Sequence, residues 1–88
     1  MNKEEELSEQ LSRLGYFIAK VEYWFAIGEI EYDFKRNWQG RIHRYMMNCV
    51  MEYTQQVSRG KAKEAYNMAR GESPYIDFDD YWTQTQQQ

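Results

Sequence analysis

The sequence predicts a small all-α protein in which two long helices form an antiparallel hairpin and one or two short helices close a bundle. Apolar residues recur at helical spacing over most of the first 57 positions, and glycines at 28, 60 and 71 stand where the periodic stretches end. With 88 residues, 42% of them hydrophobic, and a single proline, the chain has the size and composition of one globular domain. We place this domain at residues 1–82 and expect a disordered polar tail at 83–88, which contains no apolar residue.

The first helix is predicted to begin just after Asn2, whose side chain can accept a hydrogen bond from the free backbone amides of the first turn. Three glutamates at 4–6 add negative charge at the positive end of the helix dipole. An apolar stripe follows at alternating spacings of four and three, formed by Leu7, Leu11, Leu14, Ile18, Val21 and Phe25. Gly28 is the expected end of this helix.

The second helix is predicted at residues 34–57. The residues before it, 29–34, alternate between polar and apolar as a strand would, but one strand has no partner in this chain, so we interpret them as a connector. Asp33 is the expected N-cap, and Gly60 the expected end. An apolar arc of about 160° should face the first helix as core. Its members are Phe34, Trp38, Ile42, Tyr45, Cys49, Tyr53 and Val57.

Two short segments complete the predicted bundle. Residues 61–70 form a helix with an alanine-rich face suited to close packing, which Gly71 ends. The Ser-Pro pair at 73–74 has the order of an N-cap and a first helical residue, so we expect a short acidic helix or an extended docking segment after it. The aspartates of this segment could pair with Arg41 and Arg44 of the same chain, or the segment could dock on a partner.

Charge and cysteine content narrow the class of protein. A formal net charge of −3 and a pI near 5.1 argue against a dedicated nucleic-acid binder, which needs a basic face. The single cysteine, Cys49, rules out a disulfide within the chain and suggests a reducing compartment, so we expect a cytoplasmic protein. No apolar run approaches the roughly 20 residues that cross a bilayer, and the acidic start of the chain does not resemble a secretory signal, so no membrane association is expected.

No catalytic, cofactor or metal motif is present in the sequence. His43 and Cys49 lie about 120° apart on a helical wheel and cannot chelate one metal without further ligands. No serine, cysteine or carboxylate stands at a spacing that would pair it with His43 as a nucleophile and base. We therefore expect a protein without enzymatic activity, cofactor or metal.

Protein binding is the leading functional hypothesis, with the chain occupying a partner's surface stoichiometrically as small regulators, adaptors or phage-type inhibitors of host machinery do. Aromatic and arginine side chains dominate interface hot spots. On this basis the candidate partner-binding residues are Tyr23, Trp24, Arg41, Arg44, Met47, Tyr75, Phe78 and Trp82. A homodimer is also expected, because the aromatic residues around both long helices offer more apolar surface than 88 residues can cover.

The alternative is a dimeric nucleic-acid-associated regulator. One side of the 34–57 helix carries residue types that bind phosphates and base edges, within about 60° of one another on a helical wheel. They are Asn37, Arg41, Arg44, Asn48 and Gln55. Glu52 lies beside this strip and the chain as a whole is acidic, so a solvated or protein-contacting face is the favoured interpretation.

Overall fold

The chain is a bundle of four α-helices in a computed structural model that describes residues 2–71 and 73–87. Helix α1 spans Lys3–Ala26, α2 spans Tyr32–Tyr53, α3 spans Arg59–Arg70 and α4 spans Phe78–Gln86, with a turn of 3₁₀ helix at Thr54–Gln56 between α2 and α3. No strand occurs among the described residues. The predicted all-α bundle is confirmed.

Helices α1 and α2 form the predicted antiparallel hairpin. Gln10, near the start of α1, bonds Cys49 and Tyr53 near the end of α2, while Glu22 near the end of α1 bonds Lys35 and Gln39 near the start of α2. At the start of α1, the Asn2 side chain accepts a hydrogen bond of 2.8 Å from the backbone amide of Glu5, which confirms the predicted cap.

The predicted ends of the second helix are wrong. Helix α2 begins at Tyr32, so Asp33 lies in its first turn instead of capping it. It ends at Tyr53, and the chain becomes extended at Val57, before Ser58 caps α3 by accepting a 3.2 Å hydrogen bond from the amide of Lys61. The serine cap is a stronger local signal than the glycine that follows it, and Gly60 therefore lies inside α3.

Most of the core lies where α3 and α4 cover one half of the hairpin. Its buried side chains are Leu7, Leu11, Val21, Ile42, Met46, Met47, Val50, Tyr53, Ala62, Ala65, Tyr66, Ala69, Phe78 and Tyr81. The alanine face of α3 is fully buried, as the sequence predicts, because small side chains let helices approach closely. Ser58 and Lys61, at the start of α3, bond Glu4 and Ser8 of α1, while the carbonyl of Ala69 near its end bonds His43 of α2.

The last helix differs from the prediction at both ends. Residues 73–77 are not helical, and α4 begins after Asp77, not at the Ser-Pro pair. It then continues through Gln86, so the predicted disordered tail is wrong for residues 83–86, which are helical; residue 88 lies outside the described residues. Side chains of threonine and glutamine donate hydrogen bonds to backbone carbonyls of this helix. The Thr83 hydroxyl donates to the carbonyl of Asp79, and the side chain of Gln55, in the 3₁₀ turn after α2, donates to the carbonyl of Thr85.

Gly71 ends α3 as predicted, and two constraints require glycine there. Its φ of +55° is a backbone conformation that other residues rarely adopt. A Cβ at this position would also lie 2.7 Å from Cε1 of His43, whose Nδ1 is 2.9 Å from the carbonyl oxygen of Ala69. The histidine ring therefore packs against the glycine and fixes the end of α3 on α2.

Candidate functional site

The half of the hairpin that α3 and α4 leave uncovered carries most of the exposed aromatic side chains of the described residues. The exposed large apolar residues on this half are Tyr16, Phe17, Tyr23, Trp24, Ile27, Tyr32, Phe34, Trp38 and Tyr45. Single exposed apolar residues are ordinary, but a contiguous cluster on a small monomer marks a candidate binding surface. The geometry of this cluster therefore decides where a partner can bind.

Part of this cluster forms an apolar groove between α1 and α2, with a volume of about 410 Å³. Helix α1 supplies Leu14, Phe17, Val21 and Trp24, and α2 supplies Phe34, Trp38, Ile42 and Tyr45. Val21 and Ile42 are buried and form the floor of the groove. The five aromatic side chains in its walls are between 40% and 55% exposed. We call these eight residues the aromatic groove.

The helical periods of α1 and α2 create the aromatic groove. The α1 residues follow one another at spacings of three, four and three, and the α2 residues at four, four and three, so each set lines one side of its helix. Antiparallel packing brings the two sides together. The rings of Phe34 and Trp38 lie 6.1 Å apart between centroids, so one wall is a continuous aromatic surface.

The prediction that the whole apolar arc of the second helix is core is therefore wrong for Phe34, Trp38 and Tyr45, which are exposed. The arc is wider than one neighbouring helix can cover. Helix α3 packs on the other flank of α2, where Ala69 bonds His43 and where Met47 and Tyr66 share a cavity wall. No described residue covers the flank that carries the aromatic groove.

Basic side chains border the aromatic groove. Helix positions three or four residues from a groove residue are its surface neighbours, and the charged residues at these positions are Arg13, Lys20, Glu31, Lys35 and Arg41. Four of these five are cationic, in a chain of net charge −3. The guanidinium of Arg41 lies 5.4 Å from the ring centroid of Trp38, which fixes its charge beside the groove.

Not all of these cations are free of partners within the chain. The guanidinium of Arg13 pairs with Glu9 at 2.5 Å, and the ammonium of Lys35 pairs with Glu22 at 3.2 Å. Glu22 also accepts a hydrogen bond from Gln39, and these two contacts lower the pKa of its carboxyl, the bond to Gln39 most strongly. Lys20 and Arg41 form no ion pair among the described residues and instead lie over aromatic rings.

The predicted partner-binding residues do not lie on one surface. Trp24 lines the aromatic groove and Arg41 borders it, while Tyr23 is 57% exposed on another side of α1, in a shallow pocket with Tyr16. Arg44 and Tyr75 line a second shallow pocket with the Ser73–Pro74 connection. Trp82 is half-buried against Phe78, with ring centroids 5.8 Å apart.

The prediction that Met47 and Phe78 bind a partner needs correction, because their side chains are only 5% and 4% exposed. Phe78 packs its ring against Tyr66 and Tyr81, and Met47 belongs to the same core. In this chain both are packing residues. The sequence places Met47 beside the basic strip, but it cannot show that α3 packs on that side of α2.

The acidic segment docks on its own chain, but not on the predicted arginines. Asp77 pairs with Arg70 at 3.4 Å and Asp79 with Arg59 at 2.6 Å, both on α3. The alternative pairing with Arg41 and Arg44 is therefore wrong. Arg41, Arg44, Asn37, Asn48 and Gln55 are all exposed, so the polar strip proposed for nucleic acid remains at the surface.

Four residues that line the aromatic groove are not among the predicted partner-binding residues: Phe17, Phe34, Trp38 and Tyr45. One signal could have found them. Two antiparallel helices with aromatic residues on the same flank, and no third helix long enough to cover their full length, must leave part of that flank exposed. The available third helix has 12 residues against 24 and 22 for the hairpin helices.

Titratable side chains away from the aromatic groove have structural roles. Burial, followed by the charge of Glu52, raises the pKa of the Cys49 thiol, which donates a hydrogen bond to Gln10 and stays protonated at neutral pH. Burial likewise raises the pKa of Tyr66, whose hydroxyl donates to the carbonyl of Ile76. Among residues 2–71 and 73–87, no cluster of histidine, cysteine and carboxylate side chains has the geometry of a metal site, and no helix is long and apolar enough to cross a membrane.

Comparison with known proteins gives no functional lead: no protein-family model matches this sequence, and neither the curated proteins nor the solved structures contain a match. Function must therefore be inferred from the aromatic groove and its basic border.

Proposed function

We propose that this chain is a non-enzymatic protein-binding protein that acts stoichiometrically, as a small regulator, adaptor or inhibitor, and that it binds its partner through the aromatic groove. The observation that supports this is the distribution of aromatic residues. Tyr66, Phe78 and Tyr81 pack into the core, whereas all five aromatic residues of the groove are 40% or more exposed.

The exposed area is large enough to anchor a complex. An aromatic side chain presents about 150–250 Å², so the exposed fractions of the five groove aromatics amount to roughly 500 Å². A specific interface buries about 800 Å² on each partner, and the groove could supply more than half of this.

The residue types of the groove and its border are more typical of a binding site than of an incompletely packed core. Tryptophan, tyrosine and arginine are the residues that most often dominate binding energy, and the groove and its border hold Trp24, Trp38, Tyr45 and Arg41. Arg41 stacked on Trp38 keeps part of the apolar ring covered in the free chain while leaving its charge at the surface.

We place this function in the cytoplasm. This proposal rests on the cysteine content: the single thiol, Cys49, cannot form a disulfide within the chain, and free thiols are typical of a reducing compartment. The nucleic-acid alternative, through the strip from Asn37 to Gln55, stays a prediction. Binding of duplex DNA at low salt, where the phosphate contribution is strongest, would support it, and its absence there would remove it.

Affinity purification of the tagged chain from its native host, followed by native mass spectrometry, tests the proposal. We expect a complex of fixed stoichiometry that Trp38→Ala abolishes. Met68→Ala is the matched control, because Met68 is an exposed apolar residue of α3, remote from the groove. Capture of the same partner by wild type and Trp38→Ala alike would show that the groove does not carry the binding.

A further inference from the structure

We infer that the aromatic groove receives a single amphipathic helix of another protein, whose apolar ridge is flanked by aspartate and glutamate residues. This inference rests on the proposed protein-binding function and specifies the chemistry of the partner. It combines the shape of the groove with the charge of its border.

The shape fits a helical ridge. The α1 wall runs from Leu14 to Trp24, which is about 15 Å at 1.5 Å per residue, or nearly three helical turns. An amphipathic helix presents apolar side chains at i, i+3 or i+4, and i+7 over a comparable length, and it can place them on the buried floor of Val21 and Ile42. The partner would thus become the third helix that this half of the hairpin lacks.

The positive charge beside the groove determines which residues can flank the apolar ridge of the partner helix. Lys20 stands three residues after Phe17 and four before Trp24 on the outer side of the α1 wall, with its ammonium 5.6 Å from the ring centroid of Tyr16. Arg41 lies over Trp38 of the α2 wall, so each wall has a cation within one helical turn. Carboxylates on either side of an apolar ridge would meet both edges, whereas lysines and arginines would be repelled by both. Charge complementarity of this kind fixes the choice and register of a partner.

The chain already docks one helix with this chemistry. Helix α4 buries Phe78 and Tyr81 while the neighbouring Asp79 pairs with Arg59, and Asp77 at its N-cap pairs with Arg70. An acidic, aromatic helix therefore packs on a basic-bordered apolar surface elsewhere in the same molecule.

A second copy of the chain is a poorer occupant of the aromatic groove. Two-fold symmetry would place groove against groove, so two concave surfaces of about 410 Å³ each would face one another without a ridge to fill them. It would also bring the cation-bearing edges of the two copies together, so that Lys20 and Arg41 of one copy would lie near the same cations of the other, where like charges repel. The homodimer predicted from the sequence, if it forms through this groove, has to overcome both costs.

Two synthetic peptides of about 18 residues test the inference. Both carry the same Leu/Phe ridge at i, i+3, i+4 and i+7, and they differ only in having Glu or Lys at the flanking positions. We expect the Glu peptide to bind the full-length chain at least about tenfold more tightly than the Lys peptide at low salt, by isothermal titration calorimetry, with the difference shrinking as salt screens the charges.

The double variant Lys20→Glu/Arg41→Glu should abolish or invert that preference. Arg36→Glu/Lys63→Glu is the matched control, since it makes the same charge change at exposed positions outside the groove border and should keep the preference. Circular dichroism of each variant checks that the fold is retained. Equal affinity for the two peptides, or no binding of either, would overturn the inference.

Failure of this inference can be told apart from failure of the proposed function. If Trp38→Ala abolishes capture of the native partner but neither peptide binds, the groove is a binding site for something other than an acidic helix. If sedimentation shows a wild-type dimer that Trp38→Ala dissociates, the occupant is a second copy and the inference is wrong.

Discussion

The two halves of this molecule use the same aromatic-rich composition in opposite ways. In the covered half, α3 and α4 close over the hairpin, Leu7 and Val50 are fully buried, and the rings of Tyr66 and Tyr81 pack with their centroids 4.5 Å apart. In the uncovered half, Trp24 and Trp38 are 41% and 40% exposed on either side of a groove. Aromatic content does not separate core from interface; the number of helices available to cover each face does.

Core truncation should separate the two halves most strongly. Leu7→Ala removes a side chain with no exposed surface and should lower the free energy of unfolding by about 2–5 kcal/mol. Phe17→Ala removes a groove ring that is 54% exposed and should cost about 1 kcal/mol or less. Urea unfolding followed by circular dichroism measures both. Equal losses of unfolding free energy would mean that the uncovered half is packed as tightly as the core, which would contradict the difference between the two halves.

The glycine that ends α3 should show the next largest effect. Gly71→Ala imposes a strained φ and a clash with the ring of His43, so we expect a loss of about 1–3 kcal/mol in the free energy of unfolding. Gly15→Ala is the control, because nothing lies within 4 Å of its added Cβ inside α1. It should stabilise the chain by about 0.5–1 kcal/mol. A neutral Gly71→Ala in thermal melts would contradict the packing at this end of α3.

Acid should weaken both halves through a single carboxylate in each. Hydrogen bonds from Ser58 lower the pKa of Glu4, first through its backbone amide, and those from Gln39 and Lys35 lower the pKa of Glu22. A lowered folded-state pKa gives stability that is present above the unfolded value, near 4.5, and lost as pH falls through the folded value. Glu4→Gln and Glu22→Gln should each flatten the decline in stability below about pH 4.5; an unchanged slope would exclude these contacts as its cause.

The smallest expected effect concerns the thiol between the two long helices. Because burial raises the pKa of Cys49, we expect alkylation by iodoacetamide at neutral pH to be several times slower than that of a cysteine in a short peptide. Denaturant should restore the ordinary rate. Rapid labelling of the folded chain would show that the contact between Gln10 and Cys49 opens readily.

How far the sequence predicts this structure depends on how local each signal is. The Asn2 cap and the stripe of α1 are set within a few residues; the cap is found as predicted, and five of the six stripe residues are buried or pack against the core, whereas Phe25 is half-buried outside it. The side of α2 on which α3 packs is a tertiary choice, and it decides that Met47 is buried while Trp38 is exposed. No local pattern contains that choice, so helix lengths and aromatic spacing indicate that part of the hairpin stays uncovered but not which residues line the aromatic groove.

Two neighbouring residues of α1 give the most direct test of whether the partner binds in the aromatic groove. Trp24 lines the aromatic groove, whereas Tyr23 is more exposed and lies outside the groove; the two share a shallow pocket at the end of α1. In quantitative affinity capture from the native host, Trp24→Ala should lose the partner and Tyr23→Ala should retain it at near wild-type stoichiometry. Retention by both variants, or loss only with Tyr23→Ala, would contradict a binding site in the groove.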